Sequence, residues 1–177
     1  MSYITTHTKI HFYPLSDEEQ QIDIKDIAHS LSLICRANGH FPHFYSVAQH
    51  SINCMNEARA RGYSERVQLG CLLHDASEAY LSDITRPIKP YLTEYLRIEE
   101  KLQAKIFNKW IYPELTEDEL RQIFSIDDAI LYYEFFNLMG EKLNGLETEL
   151  SSAPTLDFEG FEEIEKRFVD SFLSLTE

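Results

Sequence analysis

The sequence predicts an all-α fold, a bundle of helices in a single domain. Apolar residues recur at intervals of three and four along most of the chain, which is the spacing that places them on one face of a helix. Of the 177 residues 44% are apolar, so the chain can bury a substantial core without staples such as disulfides. No low-complexity stretch, internal repeat or long linker divides the sequence. We therefore expect one domain over residues 1–177.

The first half of the chain is predicted to hold a short ribbon and three helices. Residues 1–15 alternate weakly between apolar and polar, which favours a short β ribbon or an extended arm. The helices are predicted over residues 24–38, 46–61 and 64–81. Asp23 is suited to cap the start of the first helix, and Gly39 is suited to end it.

The second half is predicted to be helical with two interruptions. Pro87 and Pro90 predict an irregular loop over residues 83–90. Thr116 followed by Glu119 is a capping-box pattern, which predicts a helix start. The predicted helices cover residues 91–110, then 116 to about 143 with or without a break near Ser125, and finally 158–173 after a loop at 144–157.

The charge of the chain limits its partners. A formal net charge of −14 argues against broad nucleic-acid binding, which needs a basic surface. A small anionic substrate is still compatible, because a metal dication and a few cations in a cleft reverse the local field. No apolar run is long enough to cross a membrane, and the N-terminus lacks the apolar core of a signal peptide. We expect a cytoplasmic protein that binds neither membranes nor nucleic acid.

The three cysteines are expected to be reduced core thiols. Cys35, Cys54 and Cys71 each fall in an apolar helical pattern, and no two of them form a CxxC pair. Free cysteine behaves as a small buried hydrophobe, so we do not expect these residues to be metal ligands or nucleophiles.

The dipeptide His74-Asp75 is the first sign of a functional site. It follows an apolar stretch, residues 69–73, and is predicted to lie inside a helix. Burying an imidazole beside a carboxylate is costly unless something compensates them, and a divalent metal would do so. This donor pair suits Zn, Mn, Fe or Co. A hydrogen-bonded polar pair at the edge of a helix is the alternative interpretation.

Further donors on two other predicted helices strengthen the metal hypothesis. His50 lies 24 residues before His74, on the preceding helix. The sequence SIDD at 125–128 offers a carboxylate from a later helix. Four ligands on three helices would form a metal site in the core of a bundle. Asp127 and Asp128 point about 100° apart on a helix, so only one of them can face the metal.

Glu78 is placed to act on a substrate beside these ligands. It lies four residues after His74 and three after Asp75, so in a continuous helix it faces the same side. A carboxyl there could activate a water molecule or protonate a leaving oxygen. Asp83 follows in the predicted loop.

With these residues in view, the chain resembles the HD-domain phosphohydrolases, particularly the small branch that contains bacterial 5′-deoxynucleotidases and phage deoxynucleoside triphosphohydrolases. The stretches that carry the resemblance are DIAHSLSLICRANGHF at 26–41, YSVAQHS at 45–51 and LLHDASEAYLSDITRPIK at 72–89. It covers roughly the first 100 residues, with a weaker echo at 126–134. It implies a helical bundle with its core over about 22–145 and a C-terminal helix over about 158–173.

The resemblance implies a metal centre with one divalent transition metal, Zn, Mn, Co or Fe rather than Mg. The implied ligands are His50, His74, Asp75 and one distal aspartate. In the family pattern that aspartate is followed by a glutamate seven residues later, an interval that Asp127 and Glu134 match and Asp128 misses by one. Asp127 is therefore the predicted fourth ligand.

The resemblance also implies the remaining roles. Glu78 handles the proton of the attacking water or of the leaving oxygen, and Asp83 assists. Arg36 corresponds to a family arginine that contacts the substrate phosphate, and Lys89 is a second phosphate-binding candidate. The implied reaction is hydrolysis of a nucleotide at the α-phosphorus, which releases a nucleoside with phosphate or with triphosphate.

Several alternatives remain open at the level of sequence. The substrate is either a mono- or a triphosphate, because both share the same reacting phosphorus. Other interpretations are hydrolysis of another small phosphomonoester, a nucleotide sensor without turnover, and a purely structural polar network. We expect a homo-oligomer, a dimer or a larger assembly, whose partner is a small nucleotide. Phe41, Phe44, Tyr45 and Tyr80 are aromatic residues that could stack a base or belong to the core.

Overall fold

The computed structural model of the chain describes residues 2–16, 18–143 and 149–177, and most of these residues are helical. Two short strands, β1 (Ile4–Thr5) and β2 (His11–Phe12), pair antiparallel as the predicted N-terminal ribbon. The helices are α1 (Ile24–Leu33), α2 (Val47–Ala60), α3 (Glu65–Leu73), α4 (Glu78–Leu81), α5 (Thr93–Trp110), α6 (Glu117–Met139) and α7 (Phe161–Thr176). The prediction of an all-α fold is confirmed. Among the described helices, none has the length and apolar character required to cross a membrane.

The predicted side-chain caps are present at the start of α1 and α6. The Asp23 carboxylate accepts a hydrogen bond from the backbone N–H of Lys25 at the start of α1. Thr116 and Glu119 form the predicted capping box of α6. This helix is continuous through Ser125 and ends at Gly140, whose φ of 68° lies in the left-handed region that favours glycine. Of the two alternatives the continuous helix is therefore the one observed, and the extension of the helix to about residue 143 was wrong.

The first helix is shorter than predicted, because the chain changes to extended backbone after Leu33. The backbone N–H of Val47 donates to Ile34 O (3.0 Å), and that of Arg36 donates to Tyr45 O (2.8 Å). These two bonds tie the segment after α1 to the start of α2. Arg36 consequently begins a separate 3-10 turn, Arg36–Gly39, and lies outside the first helix, which was predicted to extend to residue 38.

The third predicted helix is interrupted at the His74-Asp75 dipeptide. α3 ends at Leu73, and a tight turn leads into α4 through bonds from Ala76 N to Leu73 O and from Glu78 N to Asp75 O, both 3.0 Å. The side chain of Gln103 on α5 stabilises this turn. Its amide donates to Leu73 O (2.7 Å), and its oxygen accepts from Ser77 N (3.0 Å). A side chain from another helix thus satisfies backbone groups that a continuous helix would have paired internally.

Helices α5 and α7 start later than predicted, and the segment between α6 and α7 is only partly described. α5 is preceded by a 3-10 turn, Lys89–Tyr91, and α7 begins after Gly160. The predicted loop at 144–157 has its first five residues, 144–148, outside the described residues.

Two apolar clusters fill the interior and fix the helices that carry the candidate site. The larger cluster joins the ribbon to α1, α2, α3, α5 and α7, with Phe12, Leu31, Leu72, Ile106 and Phe168 among its buried members. The smaller one lies between α2, α3 and α6 and contains Cys54, Cys71, Ile123, Ile126 and Ile130. Cys54 and Cys71 are buried free thiols, whereas Cys35 is half-buried in the extended segment after α1. The second cluster holds α2, α3 and α6 together, and these helices carry or adjoin the residues of the candidate site.

Candidate metal centre

The structure brings the two histidines, His50 and His74, into contact range at the junction of α2, α3 and α6. His50 is fully buried on α2, and His74 caps the C-terminal end of α3. Their ring centroids are 5.3 Å apart. The turn after Leu73 places Asp75 beside His74, and α6 places Asp127 beside His50.

Each imidazole uses its Nδ1 atom for a hydrogen bond that points away from this junction. His74 Nδ1 lies 2.7 Å from Cys71 O, and because a carbonyl only accepts, Nδ1 carries the proton. His50 Nδ1 lies 2.7 Å from Glu134 Oε1, a carboxylate oxygen that likewise accepts. Both rings therefore direct Nε2 towards the shared space. Orientation of a ring through its other nitrogen is the usual arrangement of metal-binding histidines.

Carboxylate oxygens converge on the two Nε2 atoms. Asp127 Oδ1 lies 3.1 Å from His50 Nε2 and 3.6 Å from His74 Nε2, and Asp75 Oδ2 lies 3.2 Å from His74 Nε2. Ligands bonded to one ion at about 2.1 Å are separated by about 3.0–3.4 Å. The spacings of 3.1 and 3.2 Å lie in this range and that of 3.6 Å lies just above it, so the arrangement fits a single divalent cation after a small adjustment. His74 Nε2 is also a buried atom without a hydrogen-bond partner of acceptable geometry among the described residues. The donor set thus fits a metal, and Asp127, not Asp128, faces the histidines.

The charges at this junction depend on one another. Burial opposes ionisation of Asp127, but the adjacent rings of His50 and His74 hold its pKa well below the usual range. Burial also opposes protonation of the two rings, yet the surrounding carboxylates raise the pKa of both histidines above the ordinary value. A divalent cation bound at this point would offset the negative charge of Asp75 and Asp127.

Cys54 lies close to the same histidines but on the core side. Its Sγ is 3.4 Å from His50 Nε2, and the donor atoms of His50, Cys54 and His74 all lie within 4.8 Å of one another. Burial raises the pKa of the Cys54 thiol well above its usual value, which keeps it neutral. The Cys54 side chain belongs to the apolar cluster between α2, α3 and α6, whereas Asp75 and Asp127 line the cleft. We therefore retain the aspartates as the predicted ligands.

A cleft of about 560 Å³ opens beside the convergent donors. Its polar lining includes Arg36, Asp75, Glu78, Asp83, Lys89 and Asp127. Of the predicted site residues, only the two histidines lie behind this surface. The cleft also has an apolar wall. In this wall Phe41 packs edge-on against Phe135, with ring centroids 5.2 Å apart.

Only one of the four aromatic residues suggested for base stacking lines this cleft. Phe41 does so, whereas Tyr45 donates a hydrogen bond to Glu134 Oε1 (2.8 Å) and Tyr80 stacks on Phe12 in the core. Tyr132 and Phe135 on α6 also line the cleft, and the sequence reasoning missed them. They belong to the helical pattern of α6, so the sequence offered no signal that separated them from core aromatics.

Glu78 is a buried carboxyl whose surroundings raise its pKa. Its side chain is 4% exposed, and its Oε2 has no hydrogen-bond partner within the part of the chain that the structure describes. Burial, followed by the charges of Asp75 and Asp83, raises the pKa of Glu78 well above the usual value. A protonated carboxyl facing the cleft can donate a proton to a bound group.

Two predicted substrate-binding cations flank Glu78. Arg36 Nη1 lies 3.2 Å from Asp75 Oδ2, and Arg36 Nη2 lies 3.6 Å from Glu134 Oε2. Lys89 Nζ lies 2.8 Å from Glu99 Oε1 and 3.9 Å from Glu78 Oε1. Both cations are therefore held at the cleft by carboxylates. An anionic ligand in the cleft could form ion pairs with either of them.

Arg86 is a cation at the cleft that sequence reasoning missed. Its Nη2 lies 2.7 Å from Asp127 Oδ2, and its Nη1 lies 2.5 Å from Asp128 Oδ1. No pattern in the loop sequence distinguishes Arg86 from a solvated side chain. The contact arises only because the loop after α4 packs against α6.

Glu134 supports the centre from beneath. It is fully buried, accepts hydrogen bonds from His50 and Tyr45, and lies close to Arg36. The sequence marked Glu134 only through its interval of seven residues from Asp127. The structure gives that interval a physical meaning, because it places two carboxylates of α6 on opposite nitrogens of the same imidazole.

Replacing Glu134 with glutamine should weaken metal binding while replacing it with alanine should also destabilise the fold. Partners of this kind typically contribute 10–100-fold to metal affinity, so we expect a loss of about tenfold for Glu134→Gln. Glu134→Ala leaves Arg36 and His50 without their buried carboxylate, which should lower the free energy of unfolding by about 3–5 kcal/mol. Chelator competition and urea unfolding measure the two effects. Glu100→Gln, which changes an exposed glutamate on α5, is the control, and wild-type metal affinity in both Glu134 variants would contradict the assigned role.

Comparison with known proteins identifies what this arrangement is similar to. A family model described as an HD domain matches residues 32–170, a range that contains all four predicted ligands. The uncharacterized protein YfdR of Escherichia coli is 44% identical over 113 residues, which cover 64% of this chain and 61% of YfdR. An uncharacterized protein of Rhodobacter capsulatus is 32% identical over 122 residues, which cover 66% of this chain and 62% of that protein. The matching part thus spans about three fifths of each relative's length.

Proposed function

This chain belongs to the HD-domain family, and from that premise we propose that it is a metal-dependent phosphohydrolase. One observation carries the proposal: two imidazole Nε2 atoms and two aspartates converge beside a cleft that is also lined by a buried carboxyl, Glu78, and two cations. Binding alone would not need a buried neutral glutamate at that position. The finer assignment to nucleotides is proposed from the resemblance of the sequence motifs to the deoxynucleotidase branch.

The proposed ligands of the metal are His50, His74, Asp75 and Asp127. When bound there, a divalent transition metal, Zn, Mn, Co or Fe rather than Mg, would polarise a phosphoryl oxygen and increase the acidity of water. Glu134 and the carbonyl of Cys71 fix the two rings so that only Nε2 is available for this role.

The other side chains of the cleft act directly on the substrate in this proposal. Arg36 and Lys89 offset the negative charge on the phosphate oxygens, and Asp83, whose pKa is raised by burial, assists beside them. Glu78 enters protonated and donates its proton to the leaving oxygen. Its raised pKa supports this acid role over activation of the water, because a base would have to be ionised beforehand.

The proposed substrate is a nucleotide cleaved at the α-phosphorus. A cleft of about 560 Å³ is large enough for a nucleotide, and typical small-molecule sites have about 300–1,000 Å³. Phe41, Tyr132 and Phe135 provide an apolar wall against which a base could stack. The products would be a nucleoside with phosphate from a monophosphate, or a nucleoside with triphosphate from a triphosphate.

A product-release screen tests this function. Purified protein is incubated with ribo- and deoxyribonucleoside mono-, di- and triphosphates under Mn, Co, Zn and Mg, and phosphate, pyrophosphate and triphosphate are measured separately. We expect a transition metal to support release of a nucleoside from at least one nucleotide. Tight nucleotide binding without any turnover would instead identify a sensor, and a protein that takes up no divalent metal would refute the metal-dependent function.

Comparing Asp127→Asn with Asp128→Asn tests the assignment of the fourth ligand. Asp127 Oδ1 faces both histidines, whereas the Asp128 side chain is 47% exposed and contacts Arg86. We expect Asp127→Asn to lose most metal affinity and Asp128→Asn to keep it. Metal content after dialysis and chelator competition provide the measurement, and the reverse ranking would assign the ligand to Asp128.

A homo-oligomeric state, a cytoplasmic location and the absence of nucleic-acid and membrane partners remain predictions. The single-domain organisation over residues 1–177 has the same standing.

A further inference from the structure

The Asp127 carboxylate is held at both of its oxygens by different elements. Oδ1 faces His50 Nε2 at 3.1 Å and His74 Nε2 at 3.6 Å. Oδ2 accepts a hydrogen bond from Arg86 Nη2 at 2.7 Å. Because a carboxylate is planar, a donor that fixes Oδ2 also fixes the direction in which Oδ1 points.

Arg86 makes this contact as one half of a fork. Its two terminal nitrogens bond to Asp127 and Asp128, which are neighbours on α6. A planar guanidinium can bridge two carboxylates in a fixed geometry, whereas a lysine ammonium acts as a single point charge. The Arg86 side chain is 52% exposed, so its ion pairs add little to the stability of the fold. The effect of the contact on Asp127 is therefore geometric rather than a contribution to folding.

A comparison of the four predicted ligands shows that each has one orienting partner. His50 has Glu134 and His74 has the carbonyl of Cys71, at 2.7 Å each. Asp75 Oδ2 has Arg36 at 3.2 Å. Arg86 is the corresponding partner of Asp127, since its Nη2 donates to Asp127 Oδ2.

We propose that Arg86 is a positioning residue of the metal centre, which acts by holding Asp127 Oδ1 towards the two histidines. This inference rests on the proposed metal-dependent function. It also couples the loop after α4, which carries Asp83 and Lys89, to the centre, because Arg86 lies between these two residues and anchors the loop to α6.

Removal of Arg86 should change the metal affinity in one direction if Arg86 positions Asp127 and in the other if only its charge matters. The sign of the change therefore discriminates between these two explanations. A guanidinium close to a dication repels it, and removal of Arg86 by Coulomb's law should tighten metal binding. Removal of a positioning residue should weaken metal binding, since Asp127 can then rotate away from the histidines at an entropic cost to ligation.

The test measures the affinity of the full chain for Co²⁺ alone by chelator competition, together with the visible absorption spectrum of the bound ion. For Arg86→Ala we expect about tenfold weaker binding and an altered spectrum, in line with orienting partners of other metal ligands. Arg86→Lys should recover part of the affinity, because an ammonium can still hold one carboxylate oxygen. Arg97→Ala, which removes an exposed arginine paired with Glu94 on α5, is the matched control and should bind like the wild type.

The outcomes separate this inference from the function on which it rests. If the wild type binds Co²⁺ and Arg86→Ala binds it equally or more tightly, Arg86 does not position Asp127, and the proposed function stands. If the wild type binds no Co²⁺, both fall. Equal losses in Arg86→Ala and Arg97→Ala would show a general charge effect and overturn the inference, as would Arg86→Lys binding no better than Arg86→Ala.

Discussion

Replacing Asp75 with alanine should abolish both metal binding and phosphate release. Asp75 Oδ2 lies 3.2 Å from His74 Nε2 and 3.2 Å from Arg36 Nη1, so one carboxylate serves a predicted ligand set and the neighbouring phosphate-binding cation. Its loss removes one of four metal donors and leaves Arg36 with Glu134 as its nearest carboxylate. We expect the rate to fall to the background of the uncatalysed reaction, the largest effect of any single substitution in the cleft.

Metal content after dialysis and the rate of product release are the measurements for Asp75→Ala. Circular dichroism and thermal unfolding establish that the variant is folded. Asp170→Ala on α7, which removes an exposed carboxylate paired with Lys166, is the control and should retain both properties. Product release by Asp75→Ala at the wild-type rate would refute the role of Asp75 in the centre.

Replacing Glu78 with glutamine should preserve metal binding and remove most of the turnover. A positioned general acid typically contributes about 10²–10⁴-fold to the rate, and glutamine has the size of glutamate but no acidic proton. The effect should appear in kcat, with the metal content unchanged, because Glu78 is not among the predicted ligands. A rate near that of the wild type would show that another group carries the proton.

The pH dependence gives a second measurement on Glu78. An acid must be protonated to act, so activity should fall as the pH rises through its pKa. Burial and the charges of Asp75 and Asp83 raise that pKa, so this decline should begin at a higher pH than for an ordinary glutamate. Glu78→Gln should lose this limb of the profile, and Glu100→Gln, which changes an exposed glutamate on α5, should keep it.

The raised pKa of Glu78 should also make the free energy of unfolding fall as the pH rises. A carboxyl whose pKa is raised in the folded state is stabilising while protonated, and this contribution is lost as the pH rises above its pKa in the unfolded chain. Because ionisation of the buried Glu78 carboxyl opposes folding, Glu78→Gln should be at least as stable as the wild type, and the difference should grow as the pH rises. Urea unfolding of the two proteins at several pH values measures this difference.

Local sequence patterns predicted much of the secondary structure because their causes are local. The Asp23 cap and the box formed by Thr116 and Glu119 involve residues two or three apart, so these contacts do not depend on how the helices pack. The helical face of α6 is likewise set by spacing, with Ile123, Ile126 and Ile130 buried along it.

The interruptions of the helices could not be read in the same way because distant residues cause them. α3 ends at Leu73, whose carbonyl accepts a hydrogen bond from the side chain of Gln103, 30 positions later. α1 ends where Ile34 bonds to Val47, across an intervening turn. Both errors moved a site residue: Arg36 from the end of a helix to a separate turn, and Glu78 from one continuous helix to the start of another.

The sequence by itself determined the all-α class, the positions of the main helices, and a set of donors whose residue types and order point to a metal centre. Only the tertiary structure decided how these donors meet. It turned Asp127 rather than Asp128 towards the histidines, placed Glu134 on the far nitrogen of His50, and set Arg86 on the outer oxygen of Asp127. The reason is that helical periodicity fixes the face of a residue on its own helix, whereas the partner of that face depends on how α2, α3 and α6 pack and where the loop after α4 lies.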